Sequence, residues 1–594
     1  MTTHSYHRDD PSPLSLFETL RSAGVRETVE SILVAVMLAL LFKAFEAEAF
    51  VIPTGSMAPT LQGSHKDVAC DQCGFRYRVS ASTENPDASR RGEVIETCCP
   101  YCRYARPIRE ERDANDGTFS GDRILVSKFS YDIADPQRWD VTVFRFPENA
   151  KQPFIKRLIG LPNEELKLQH GDLFVRPMPA DGSIDVDAEF RIARKPPKKL
   201  LAMLQPVDDS RFVAPALRAA GWPSRWQQWG VPAEERVWSV IDEPGTPLRY
   251  RGVGGNELAW LRYRHLVPRR RDWLELADGK LPTRIGSAIG EAITDYYEYD
   301  DGVEVVNQQG RIDYSTAETL HEKARRGLHW VGDLAVEAEL EIASASSGSI
   351  ALDLVEGGIH FRCEIDLATG EAVVSVDDPA IRFEGPDGQE LPAGAVLRGK
   401  TSLAGGGRHR VRYANCDDRI DLWIDDRLVA FDLPGTYRRS GSVFPRWSTE
   451  DPADGEPIGI GVKGTELQIT RLAILRDVYY ISVTTGQISP PMDYRGANPS
   501  EVRGLLDDPR AWSTPKGLQL FERRDAMPAV FGLGDDQFFL LGDNSPASHD
   551  ARMWRQKFAT RDDLVGKALF VYWPHSWNGP IPYLPNFPRM GFIR

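Results

Sequence analysis

The sequence predicts a mainly β fold: an N-terminal transmembrane helix, a β core split by a cysteine module, and a large inserted β-sandwich of jelly-roll type. Three observations predict it. Ile32 to Phe42 is an uninterrupted apolar run. Two Cys-x-x-Cys pairs, Cys70/Cys73 and Cys99/Cys102, stand close together. From about 232 to 477, apolar and polar residues alternate between Gly and Asp breaks, the period of half-buried strands. At 594 residues the chain is long enough for about four domains. Hydrophobic content of 41% with 27% charged residues is that of a globular protein. A net charge of -14 argues against nucleic acid, whose binding proteins present basic faces. The short run Arg269-Arg270-Arg271 reads as a solvated face.

The apolar run comes first. A full span needs about 20 predominantly apolar residues, so the anchor is drawn over 28–48, with end charges reaching towards headgroups. Arg8, Arg21 and Arg26 precede the run and only Lys43 closely follows it. That bias places residues 1–27 in the cytoplasm as a polar tail and the rest of the chain outside, as a single-pass protein of the cytoplasmic membrane. A cleaved leader is disfavoured, because the residues that follow the run carry the strongest motif of the chain.

Next come the β segments. Residues 49–65 and 107–194 carry short β-rich runs such as Val141–Phe146, stopped by Pro147. Residues 66–106 hold the cysteine module. Residues 195–231 include KPPKKLLAMLQ and ALRAAGWPSRW and read as a helical linker. Within 232–477, Leu334, Val336, Ala338, Leu340 and Ile342 alternate with their neighbours, and Asp417-Asp418 and Asp425-Asp426 mark turns. Residues 478–594 return to mixed β-rich sequence.

Chemistry concentrates in three blocks. In the first, VIPTGSMAPTL, Ser56 follows a glycine just beyond the apolar segment. A serine hydroxyl is a poor nucleophile without a partner base. In the second, FIKRLIGLP, Lys156 stands between apolar neighbours. Burial there would favour the neutral amine, the form able to take a proton. The third, FFLLGDNSPASHDAR, runs a strand into a turn rich in Asp, Asn and Ser. The rival site, Ser–His–Asp through His549 and Asp550, needs two adjacent residues that point apart on a strand, and no G-x-S-x-G elbow is present.

These blocks, in this order, resemble the conserved boxes of bacterial type I signal peptidase, a serine–lysine peptidase family. PTGSMAPTL resembles the nucleophile box and GDRILVSKFSY the strand box after it. DVTVFRFP with FIKRLIGLP resembles the lysine box, and LLGDNSPASHDAR the last box. The resemblance implies Ser56 as nucleophile and Lys156 as general base. It implies an oxyanion hole from the Thr54 hydroxyl and the Ser56 N–H, and Ser548 orienting the lysine. It implies an Asp550–Arg552 ion pair, with Gly542-Asp543 as a turn near the site. Met57, Phe154 and Ile155 flank the pair and would line pockets for small residues. The implied activity is cleavage of signal peptides from exported preproteins after A-x-A, through an acyl-enzyme and without a catalytic cofactor; the implied partners are preproteins and the lipid bilayer. Asn163 and Ser545-Pro546 depart from the pattern away from the catalytic positions. The boxes cover about a quarter of the chain. Two other readings stay open: a membrane-tethered binding protein on a degenerate peptidase scaffold, and a self-cleaving repressor-type serine–lysine protease. The intact Ser56, Lys156 and Ser548 count against the first. The apolar anchor and the lack of a DNA-binding signature count against the second.

Two insertions set the chain apart. Cys70, Cys73, Cys99 and Cys102 have the spacing of a zinc ribbon, and four thiolates complete a closed structural zinc site. Two disulfides are the alternative. Cys98 is left over. The stretch 232–477, above all HRVRYANCDDRIDLWIDDRLVAF, resembles laminin-G-like and concanavalin-like jelly rolls, which leaves its ligand unknown. Cys363 and Cys416 read as small buried hydrophobes.

Overall fold

The computed structural model describes residues 27–37, 47–85, 92–179, 188–243, 246–286, 289–305, 327–343, 347–482, 491–526, 528–575 and 585–594. Residues 27–37 are helical, and Ile32, Leu33 and Met37 on that helix are exposed. The expected tail and residues 38–46 of the expected anchor lie outside the described residues. Among the described residues no helix is long and apolar enough to cross a membrane.

β-Branched and aromatic runs build the central antiparallel sheet, as their preference for a pleated, half-buried surface requires. Its path runs through Ala47–Val51, Arg123–Ser127, Leu564–Trp573, Val141–Phe146, Asn149–Gly160, Gln537–Leu541 and Ala559–Thr560. A second sheet orders Arg191–Ile192, Asp172–Pro177, Glu164–Gln169 and Ala529–Leu533. Both sheets mix strands from either side of the long insertion, so the peptide between them leaves the core and returns to it. Phe144, Leu158, Leu166, Phe539 and Leu540 pack together as the core.

The cysteine module is a hairpin, His65–Ala69 with Arg76–Ser80, beside a small sheet of Glu93–Cys98, Ala105–Pro107 and Val303–Val305. The third of those strands comes from the far insertion, which sequence spacing could not reveal.

That insertion is a sandwich of two large antiparallel sheets around one apolar core. Leu334, Val336, Ala338, Leu340 and Ile342 all enter that core. Two expectations need correction. Ala335 and Glu337 on the opposite face are also buried: Ala335 packs with Leu200 and Trp423, and Glu337 is paired with Arg412 and Arg471. The expected helical linker, 195–231, is only part helix, Pro197–Met203 and Pro215–Ala219. Its Gln205–Asp209 and Trp226–Gln227 are strands of the two sandwich sheets, so the sandwich begins near 205 rather than 232. The first of these pairs with the strand Glu466–Arg476 through a bulge between Pro206 and Asp208. The paired aspartates do form the turns: Asp417, Asp418, Asp425 and Asp426 all have positive φ. The final segment also holds two helices, Pro499–Leu506 and Pro515–Asp525, capped by Asn498 and Thr514 with proline at the first turn.

Candidate active site

Ser56 sits in the short turn Gly55–Met57, directly after the strand Ala47–Val51. Lys156 lies in the long strand Asn149–Gly160, whose second half is sealed from solvent. The lysine ammonium donates to Ser56 Oγ at 2.6 Å across 100 residues of sequence. Lys156 is 4% exposed and Ser56 9%. Burial lowers the Lys156 pKa to about 8, against the opposing pull of Asp550 and Asp543. A neutral amine is therefore accessible near physiological pH.

Successive side chains on a strand point to opposite sides. Arg157, next to Lys156, accordingly reaches away from Ser56 and makes a two-pronged ion pair with Asp543, at 2.7 Å on each arm. Thr60, four residues after Ser56, donates to the same carboxylate at 2.5 Å. One carboxylate thus ties together the nucleophile segment, the lysine strand and the last box. Arg157 and Thr60 were not singled out from the sequence; their positions inside two recognised boxes were the available signal.

Asp550 and Arg552 form a second buried pair, at 2.8 Å on both arms. Burial alone would push the Asp550 carboxyl up, but Arg552 holds it below its ordinary range. Arg552 also donates to the Ser545 and Ile481 carbonyls, and the Gly542 N–H donates to Asp550. Gly542 is required by space: a Cβ there would lie 2.3 Å from both the Ser56 carbonyl oxygen and Ser548 Oγ.

Two expected positions differ, Ser548 and Met57. Ser548 Oγ is buried and makes no hydrogen bond to Lys156 or to any other described group; it lies near Asp550 and helps hold that carboxyl low. Met57 is 0% exposed and packs with Ile52, Leu61 and Val141, so it fills the core instead of lining an open pocket. Phe154 and Ile155 are half-buried, with Phe154 stacked on Phe146 at 4.6 Å. Thr54 is exposed at the mouth of the turn. His549 is exposed beside Phe146 while Asp550 is buried, so the Ser–His–Asp alternative has no geometry to support it.

The insertions also reach the nucleophile turn. The Gly55 N–H donates to Ser82 Oγ at 3.3 Å. Asn544 Nδ2 donates to the Gly55 carbonyl at 3.2 Å and to Asp300 Oδ1 at 2.7 Å. Its own N–H donates to the Ser56 carbonyl at 3.1 Å. In the cysteine module, the Sγ atoms of Cys70, Cys73, Cys99 and Cys102 all lie within 4.8 Å of one another.

Fold and site together define a β protein with a buried serine–lysine pair at the meeting point of three distant segments. The family model for signal peptidase, peptidase S26, matches residues 104–235 and 503–573. The probable signal peptidase I-2 of Synechocystis sp. is 37% identical over 59 residues, covering 9% of this chain and 27% of that protein. The signal peptidase I of Pseudomonas aeruginosa is 25% identical over 171 residues, covering 27% of this chain and 40% of that protein. The chain spans less than half the length of either relative. Among solved structures, the carbohydrate binding module CBM66 from Bacillus subtilis aligns at 11% identity and a TM-score of 0.18, over 40% of this chain and 95% of that one. Over these segments the chain is similar to signal peptidases of the S26 peptidase type.

Proposed function

We propose that this chain is a membrane-bound signal peptidase that removes N-terminal signal peptides from exported preproteins after A-x-A. The observation that carries the reading is the 2.6 Å contact between Ser56 Oγ and a buried lysine whose pKa is lowered to about 8. In this reading Ser56 Oγ attacks the carbonyl carbon of the residue before the cut. Neutral Lys156 accepts the hydroxyl proton and then gives it to the leaving amine. The Ser56 N–H and the Thr54 hydroxyl would hold the oxyanion, each such donor being worth about 2.7–4 kcal/mol. Lys156, neutral again, draws a proton from the water that opens the acyl-enzyme. Phe154 and Ile155 would border the subsites for small side chains, and the apolar N-terminal segment would keep the site at the membrane where the substrates emerge. Catalysis needs no metal in this scheme.

The test is direct. The purified full chain is incubated with a precursor bearing an A-x-A signal, and the new N-terminus is sequenced. A single cut after the second small residue supports the reading. An intact precursor, with folded enzyme at pH 8–9, overturns it.

A further inference from the structure

The two cysteine turns share one backbone pattern. The Cys70 N–H donates to the Phe75 carbonyl at 2.8 Å and the Gly74 N–H to the Cys70 carbonyl at 2.9 Å. The Cys99 N–H donates to the Tyr104 carbonyl at 3.0 Å and the Arg103 N–H to the Cys99 carbonyl at 2.9 Å. Both turns place the residue after the second cysteine in the left-handed region: Gly74 at φ +74 and Arg103 at φ +55. An arginine is unusual there; its guanidinium is laid over the Tyr296 ring at 3.4 Å. The sulfurs approach across the turns, not within them. Cys70 Sγ is 3.5 Å from Cys102 Sγ, and Cys73 Sγ is 3.5 Å from Cys99 Sγ. All four are free thiols, and the Gln72 N–H points at Cys70 Sγ at 3.4 Å. Zinc–sulfur bonds of about 2.3 Å in a tetrahedron set sulfurs about 3.8 Å apart, close to this spacing.

Both turns lead to Gly55. The first is the tip of the hairpin His65–Ala69/Arg76–Ser80. Its second strand continues into Ser82, whose Oγ lies 2.9 Å from Ser80 Oγ and accepts from the Gly55 N–H. The second turn ends the strand Glu93–Cys98, which pairs with Val303–Val305. Just before that partner strand, Tyr299 packs so close to Gly55 that a Cβ there would lie 2.2 Å from its ring, and Asp300 accepts from Asn544.

We infer that Cys70, Cys73, Cys99 and Cys102 hold one soft divalent cation, of which zinc fits best, and that this metal braces the turn that carries Ser56. The module's apolar cluster is small and borrows Ala214, Leu217 and Trp273 from outside it, and a thiolate-bound metal adds folding energy to so small a module. With four thiolates the shell is closed and offers no position to a substrate. The metal acts on the serine indirectly, through the hairpin and through the strand pair that leads to Tyr299 and Asp300, and Ser82 is a positioning residue on the first of these routes. The metal site stands without the peptidase reading; only the consequence for turnover rests on it.

The full chain, purified without added metal, is analysed for zinc. It is then stripped with a chelator under reducing conditions, and amide exchange is followed over residues 53–58. The expected result is one zinc per chain. Stripping should speed exchange at Gly55 by about tenfold, the worth of one net hydrogen bond, and restored zinc should reverse it. Ser82→Ala should keep the zinc but show fast Gly55 exchange in both states. Metal-free protein with two mapped disulfides among these cysteines would overturn the site. Bound zinc whose removal leaves Gly55 exchange unchanged would overturn the brace. Neither readout uses a substrate, so a failure of the peptidase reading stays separate from a failure here.

Discussion

Arg157 and Asp543 meet as a two-pronged ion pair with both side chains wholly sealed from solvent, 386 residues apart in the chain. Each neighbours a residue of the candidate site. Lys156 precedes Arg157 on the same strand and turns to Ser56; Gly542 precedes Asp543 and rests on the Ser56 carbonyl. The pair therefore sets the distance between the lysine strand and the last box. Removing one partner leaves an uncompensated buried charge, which costs about 3–5 kcal/mol. Asp543→Ala should lose stability of that size in chemical unfolding. Arg157→Met combined with Asp543→Leu should recover most of it.

The Ser56–Lys156 pair predicts a loss of turnover without loss of fold. Ser56→Ala and Lys156→Ala should each lower kcat/KM by about 10⁴-fold or more, with circular dichroism unchanged. Lys156→Arg should fail equally, because a guanidinium stays protonated. A folded mutant of either kind that still cuts the precursor at the wild-type rate would refute the assignment.

The pH profile follows from the lysine. Only its neutral form accepts a proton, and burial has brought its pKa to about 8 from an ordinary 10.5. The rate should rise with pH through about 8 and then level. A rate that climbs until about pH 10 would mean an ordinary exposed amine.

The same burial carries a stability penalty. Between about 8 and 10.5 the unfolded lysine holds a proton that the folded one has released. Stability contributed at this site therefore climbs as pH rises through that window, and the full penalty is present below it. Lys156→Met removes the charge but keeps the volume. Unfolding at pH 7 should show a gain on the order of 1–3 kcal/mol, together with abolished cleavage. A loss of stability would mean the ammonium is better compensated than its surroundings indicate.

Gly542→Ala tests the close approach of the last box. Its methyl would lie 2.3 Å from the Ser56 carbonyl oxygen, so the nucleophile turn must move. Displacement of a reacting group by about 1 Å is worth about 10²-fold. kcat should fall by that order with KM little changed, read by steady-state cleavage of a precursor peptide.

The sequence was most legible where chemistry and local pattern coincide. The boxes around Ser56, Lys156 and Asp550 announced a meeting that the chain does make, because each needs an unusual residue in an apolar or turn-rich setting. The alternation from Leu334 to Ile342 announced a strand facing a core. The paired aspartates at 417–418 and 425–426 announced turns with positive φ. The strand Gln205–Asp209 was not legible, since a short proline-bearing segment becomes a sheet strand by pairing with residues 473–476, far along the chain. Nor was the separation of Ser548 from Lys156, because the packing of distant segments decides which neighbours a hydroxyl meets.

By itself, the sequence determined which residue types could act and how the segments with a clear local pattern would fold, since hydrophobic period, caps and turn residues operate over a few residues. Tertiary structure alone decided which distant groups touch. The 2.6 Å Ser56–Lys156 contact, the Arg157–Asp543 lock and the reach of Ser82 and Asp300 to the nucleophile turn all depend on it. So does the lowered lysine pKa, because desolvation is a property of everything packed around the amine rather than of its neighbours in the chain.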